Sequence, residues 1–276
     1  MAYPYRKLIK PRLGTPIIKG HSLGPAGGLV GRWSFNENGG TTVFDLSGNG
    51  NTGTFGAGAA SPSWVSGKFG SAINFDGGDN IEIAHKVFPS TAVTCIGWCK
   101  TTSGSGIPTM LTWKNTSALT KGIFWGIDFQ SGADAMMYFY LQGVGNNTGI
   151  LVGSGNLNDN KWHQYAVTYD GAAIRYYWDD KASSEVDADT GTIVYTNGTN
   201  SYIGIDSVGG SYPLTGDVDL VSMYNRALSA SEISLLYREP FCMFKDPNEW
   251  AILGGYTTPV VGMAGAMTTN TGYWGW

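Results

Sequence analysis

Short apolar and aromatic runs, each bounded by glycine-centred turn signals, recur along most of this 276-residue chain. The first, Leu29-Val-Gly-Arg-Trp-Ser-Phe35, alternates apolar and polar residues as a half-buried strand does. Strand-like runs follow at Ala72–Phe75, Ile81–Ala84, Val93–Lys100, Met110–Trp113, Ile123–Phe129, Met136–Gln142 and Ile150–Val152. Further runs are Trp162–Tyr169, Ile174–Trp178, Ile193–Tyr195, Ser201–Ile205 and Asp217–Tyr224. Between them stand Gly77-Gly78, Asp170-Gly171, Asn197-Gly198 and Gly209-Gly210. Asp170-Gly171, flanked by two alternating runs, predicts a hairpin. Residues 36–63 read as turn-rich. There is no strand–helix alternation, so a doubly wound sheet is excluded. The pattern predicts an all-β, two-sheet antiparallel sandwich or jelly roll.

One helix interrupts this pattern. Ser229-Ala-Ser-Glu232 has the form of a capping box, and Ile233, Leu236 and Tyr237 share the helical face that follows. Pro240 ends it. The composition agrees with a packed β-protein: 41 glycines supply turns, aromatics reach 13%, and only 14% of residues are charged, the reverse of a disordered chain. Three cysteines do not make a disulfide framework. Cys95 and Cys99 lie four apart on one strand, about 13 Å, beyond the roughly 7 Å a disulfide spans. Both read as buried or half-buried free thiols, with Cys242 the more exposed.

The two ends differ from the body. Residues 1–27 form a proline- and glycine-rich arm, and residues 1–32 carry six basic side chains and no acidic one. Residues 28–240 hold the sandwich. Residues 241–276 form a Gly/Thr/aromatic-rich extension, uncharged from Ala251 to Trp276. Pro259 and six glycines in that last stretch make it a poor membrane-spanning helix. The first residues lack an apolar run followed by a cleavage site, so no Sec signal peptide is expected. The basic arm lacks the dense Lys/Arg block of a nucleic-acid reader.

Five segments in order resemble the laminin-G-like, or concanavalin A-like, lectin/glucanase superfamily. They are Gly28–Glu37, Asp45-Leu-Ser-Gly-Asn-Gly-Asn-Thr-Gly53, Gly67–Gly77, Lys161–Gly171 and Gly216–Ser229. The resemblance spans about residues 28–240. It implies a jelly-roll sandwich of two antiparallel sheets, to which the sequence itself adds one short C-terminal helix and extended N- and C-terminal arms outside the resemblance. It also implies non-catalytic binding, often of glycans and often with calcium. Calcium takes six to eight oxygens, and the glycine-rich turn offers Asp45, Asn49, Gly50 and Asn51. The family's closing-strand acid corresponds to Asp219. The competing reading is an Asx-turn in which Asp45 bonds backbone amides.

No Gly-x-Ser-x-Gly, P-loop or zinc-ligand spacing is present. Glucanases similar in fold carry a Glu-x-Asp-x-Glu type strand that this sequence lacks, and Asp217-Val-Asp219 is the nearest same-face carboxylate pair. His163 has no visible nucleophile to activate. The expectation is a non-enzymatic module. Its sandwich would bind glycans by aromatic stacking, with Trp113, Trp125, Tyr138, Tyr140 and Trp178 as the pool and Trp64 and Tyr212 as the loop residues best placed. Its arms would bind other protein subunits, as in a virion decoration or fibre protein made in the cytosol. The alternative is a secreted or cell-surface calcium-dependent carbohydrate-binding module, and more remotely a glycoside hydrolase.

Overall fold

A computed structural model describes residues 10–11, 27–84, 89–103, 107–113, 122–128, 136–141, 143–144, 150–151, 158–195, 200–205 and 212–244. The strands, in chain order, are β1 (Leu29–Trp33), β2 (Thr42–Val43), β3 (Gly53–Phe55), β4 (Ser63–Ser66), β5 (Ser71–Asp76), β6 (Ile81–Ala84), β7 (Val93–Lys100) and β8 (Thr109–Trp113). They continue as β9 (Ile123–Asp128), β10 (Met136–Leu141), β11 (Ile150–Leu151), β12 (His163–Tyr169), β13 (Ile174–Trp178), β14 (Lys181–Asp187), β15 (Asn200–Ile203) and β16 (Thr215–Tyr224). One helix, α1 (Ala230–Arg238), follows.

The strands form two antiparallel sheets. The first runs β14-β13-β12-β7-β16-β5-β4, with β1 also on β16. The second runs β11-β10-β9-β8-β15-β6-β3-β2. Alternation along the strands turns one face of each sheet inward. Trp33, Phe75, Trp113, Trp125, Phe139, Tyr165, Tyr169 and Tyr176 fill the space between the sheets. Cys95 and Cys99 lie in this core as free thiols, and Cys242 is half-buried. Burial pushes the Cys99 thiol up to about 12.

The predicted capping box is present. Ser229 Oγ accepts from the Glu232 amide, and the Glu232 carboxylate accepts from the Ser229 amide. Ile233 and Leu236 seat the helix on the outer face of the first sheet, against Ile96, Ala166, Tyr177 and Tyr224. Asp170 forms the expected hairpin turn, its carboxylate accepting from the Ala172 and Ala173 amides.

Two short pieces from the terminal arms complete this outer layer. Phe241, Met243 and Phe244 pack with the helix. Lys10 reaches Asp219 on β16 from the other end of the chain, its Nζ 2.5 Å from the carboxylate, and both side chains are buried. The same ammonium donates to the Ser71 carbonyl. Burial pulls the Lys10 ammonium down and pushes the Asp219 carboxyl up, each opposed by the partner's charge. The packed unit therefore takes in Lys10 and Phe241–Phe244, beyond the 28–240 span. Most of the remaining arm residues lie outside the described ones. Among the described residues no helix is long and apolar enough to cross a membrane.

Removing one member of a buried ion pair leaves an uncompensated charge, which costs about 3–5 kcal/mol. Lys10→Met is expected to destabilise the protein by that order in denaturant unfolding. Lys10→Met with Asp219→Asn should recover a large part of the loss. Additive losses would mean that the pair is not coupled.

Candidate functional site

The glycine-rich turn is held by Asp45. Its Oδ1 accepts from the amides of Arg32 and Ser47, and its Oδ2 from the Ser47 hydroxyl and the Asn51 amide. Asn49 and Asn51 donate their side-chain amides to the Val30 carbonyl. Asp219 has other partners, Lys10 and the Phe69 amide, so the structure does not bring the two carboxylates to one centre. Gly50 takes a positive φ of 76° in the turn. Only Asn51 Oδ1 of this set is buried without a partner. One amide oxygen is far from the six to eight oxygens that calcium takes. The residues as folded fit the Asx-turn rather than calcium, and no cluster of three His, Cys, Asp or Glu suited to a metal occurs among the described residues.

The same-face pair Asp217 and Asp219 is engaged by two different lysines. Lys100 lies 2.7 Å from Asp217, which also accepts from Asn74. Lys10 holds Asp219.

His163 is bound on both sides. Nδ1 meets Asp179 Oδ2 at 2.5 Å and Nε2 meets Asp159 Oδ1 at 3.1 Å. Asp179 also accepts from the Gln164 amide. Asp179 and Asp180 both take positive φ, 43° and 68°, as the tight β13–β14 turn demands. The Asp179 hydrogen bonds help hold that unfavourable backbone. Asp179, then Asp159, raises the His163 pKa against the opposing effect of burial. Bonds from Lys161 and His163 draw Asp159 down to about 2. Because the folded-state pKa lies above the ordinary value of about 6.5, this stabilisation is complete below that value and fades as pH rises through the folded pKa. His163→Gln is expected to remove this component from a series of melting temperatures between pH 5 and 9. An unchanged pH profile would refute it.

The aromatic pool divides by strand face. Trp113 and Trp125 point into the core, and Trp178 packs against it. Trp64 stands on β4 rather than in a loop, half-buried against Phe55 at 5.5 Å, with its indole N–H bonded to the Gly40 carbonyl. It is not an open stacking surface. Tyr138, Tyr140 and Tyr212 gather on the outer face of the second sheet. Phe124 lies between, edge-on to Tyr138 at 5.6 Å and to Tyr212 at 5.9 Å.

Register extends this cluster into a row. Tyr140 lies opposite Phe124, and Phe124 opposite Thr112. Thr112 pairs with Tyr202, Tyr202 with Glu82, Glu82 with Thr54, and Thr54 with Thr42. The Thr112 hydroxyl donates to the Tyr202 carbonyl and accepts from its amide, pinning β15 where a single residue pair joins it to β8. Tyr140, Tyr202 and Glu82 are half-buried and Thr54 is exposed. Phe124, Tyr202, Glu82 and Thr54 were not singled out from sequence. The available signal was strand parity: each alternates with inward residues such as Trp125, Ile203, Ile83 and Phe55. Phe124 and Thr112 in the middle of the row are buried, so what it offers to solvent is Tyr140 at one end and Tyr202, Glu82, Thr54 and Thr42 at the other.

The chain matches the concanavalin A-like lectin/glucanases superfamily over residues 75–234, more than half its length. It belongs to that family. No curated protein matches the sequence closely enough to count as a relative. Among solved structures, this concanavalin A-like chain resembles domain 4 of an extracellular arabinanase from Geobacillus stearothermophilus, solved in complex with arabinotriose. Identity there is 18%, with 76% of this chain and 98% of the other covered and a TM-score of 0.59. It also resembles the binding domain of Paraclostridial Mosquitocidal Protein 1, at 14% identity over 79% of this chain and 53% of the other, with a TM-score of 0.58. The sialidase of Trypanosoma rangeli is a third neighbour, at 17% identity over 84% and 37%, with a TM-score of 0.55. The chain thus spans nearly all of the arabinanase domain but only part of the other two chains. At these identities the likeness is one of fold.

Proposed function

We propose that this protein is a carbohydrate-binding module and that sugars lie on the outer face of its second sheet. The observation that carries this reading is the accessible part of the row, Tyr202–Glu82–Thr54 with Tyr140 three strands away. A sugar presents an apolar ring face and a rim of hydroxyls. Tyrosine offers the complementary pair, an apolar ring with a polar edge. Glu82 and Thr54 supply acceptors and donors that orient hydroxyls, as the few polar groups of a ligand site do. The arabinanase domain solved with a bound sugar supports the reading through its fold. The reading is of binding without catalysis, and the carboxylates already described serve as hydrogen-bond acceptors and ion-pair partners.

Titration calorimetry against neutral plant and bacterial oligosaccharides tests this. Tyr202→Ala or Tyr140→Ala is expected to weaken binding about tenfold or more, the loss typical of a central aromatic contact, with little change in melting temperature. Full affinity in both variants would move the site elsewhere.

A surface-assembly role for the arms, in a virion or another particle, is a second reading. The observation that favours it is directional. Lys10 and Phe241–Phe244 both dock on the outer side of the first sheet, away from the aromatic row. Arms could therefore join subunits while sugars are held on the other face. Light scattering of the full chain beside residues 10–244 tests this, since a cut at residue 28 would strip Lys10 from Asp219. The full chain is expected to assemble and the trimmed one to remain monomeric. Equal masses would remove the arms from that role.

A further inference from the structure

We infer that the aromatic row selects uncharged oligosaccharides over acidic ones and that Glu82 is its specificity-determining residue, an inference that rests on the carbohydrate-binding reading above. Glu82 stands on β6 directly between Tyr202 and Thr54. Its neighbours along the row, Thr42, Thr54, Tyr202, Thr112, Phe124 and Tyr140, are all neutral side chains. Its carboxylate is the row's one formal charge, and it is half-buried. None of the described hydrogen bonds or ion pairs occupies that carboxylate, so it is free to accept from a ligand.

Directly opposed side chains on neighbouring strands lie about 5 Å apart. A sugar ring stacked on Tyr202 therefore brings its ring substituents beside the Glu82 carboxylate. A hydroxyl there donates a charge-assisted hydrogen bond, stronger than a neutral one. A uronate, sulfate or sialate there meets a like charge in partly buried surroundings, where screening by water and salt is reduced. Tyr140 stands three strand steps from Tyr202, about 14 Å. A ligand that touches both is a chain of sugars laid across the strands rather than a single ring.

The test uses the full chain and matched pairs that differ in charge: galacto-oligosaccharides against oligogalacturonides of equal length, and lactose against sialyllactose. Calorimetry is expected to show the neutral member of a pair bound about tenfold or more tighter, the size of a like-charge contact at intermediate screening. Glu82→Gln should narrow that gap to about threefold or less. Glu82→Lys, a second variant at the same half-buried position, should reverse it. Melting curves of both variants verify the fold. Acidic sugars bound as tightly as neutral ones by the wild type, or a ratio that Glu82→Gln leaves unchanged, would overturn the selectivity while leaving the binding face intact. Failure of every sugar to bind would overturn the carbohydrate reading itself, and the selectivity with it.

Discussion

Burying the Arg32 guanidinium sets the terms on which this sandwich is covered. Arg32 is 1% exposed on β1, and burial lowers its pKa from the usual value. Such a charge needs oriented acceptors. Its Nη1 donates to Ser222 on β16 and its Nη2 to the Pro240 carbonyl just past the helix. Phe241 and Phe244 lie against the cation, 5.7 and 5.5 Å from the guanidinium carbon. Its amide is bound by Asp45. One residue therefore links the first strand, the closing strand, the glycine-rich turn and the chain beyond the helix. Lys10 extends the same layer from the N-terminal side through Asp219. The first sheet is consequently covered on both faces, by the core on one side and by the helix and arm segments on the other. The second sheet carries its aromatic row on its outer face.

Much of this was legible in the sequence where the signal was local. The capping box at Ser229 and Glu232 depends on side chains three residues apart, and the Asp170 turn on a short stretch of chain. Long alternating runs such as Val93–Lys100 became strands for the same reason. The segment from 36 to 63 read as turns but contributes β2, β3 and the first residue of β4. Those strands have two to four residues, too few to show alternation, and their extended form comes from pairing, as Gly53 and Phe55 show with Ile83 and Ile81. The run Ile193–Tyr195 made the opposite error. Ile193 is buried, yet apart from a bond from its amide to Ser90 it joins no strand. Apolar character marked its burial but not its pairing.

The site was less legible than the fold because its residues are assembled by register. Tyr138 and Tyr140 stood in the aromatic pool beside Trp113 and Trp125, and composition cannot separate the two groups. One step along a strand exchanges the inner for the outer face. Tyr202 and Glu82 lie 120 positions apart and meet only because β15 enters the second sheet between β8 and β6. The Asp45 turn illustrates the converse. Its residue types suit either a calcium loop or an Asx-turn, and the choice depends on where donors point. Arg32, Ser47 and Asn51 all point at the carboxylate.

The distribution of charge follows from the same division of faces. On the outer side of the first sheet, charged groups are structural: Lys10 with Asp219, Lys100 with Asp217, and Arg226 with Glu232. Each of these three carboxylates is matched by a cation, and the helix and arm segments hold much of that layer in place. Glu82 lies on the opposite side among tyrosines and threonines, with no such match among the described residues. A half-buried carboxylate without a protein partner adds no hydrogen bond or ion pair to the fold. Beside hydroxyl-bearing sugars the same group gains donors that the folded chain does not supply. The physical contrast between matched charges on one face and an unmatched one in an aromatic row is what separates the scaffold of this protein from its proposed binding surface.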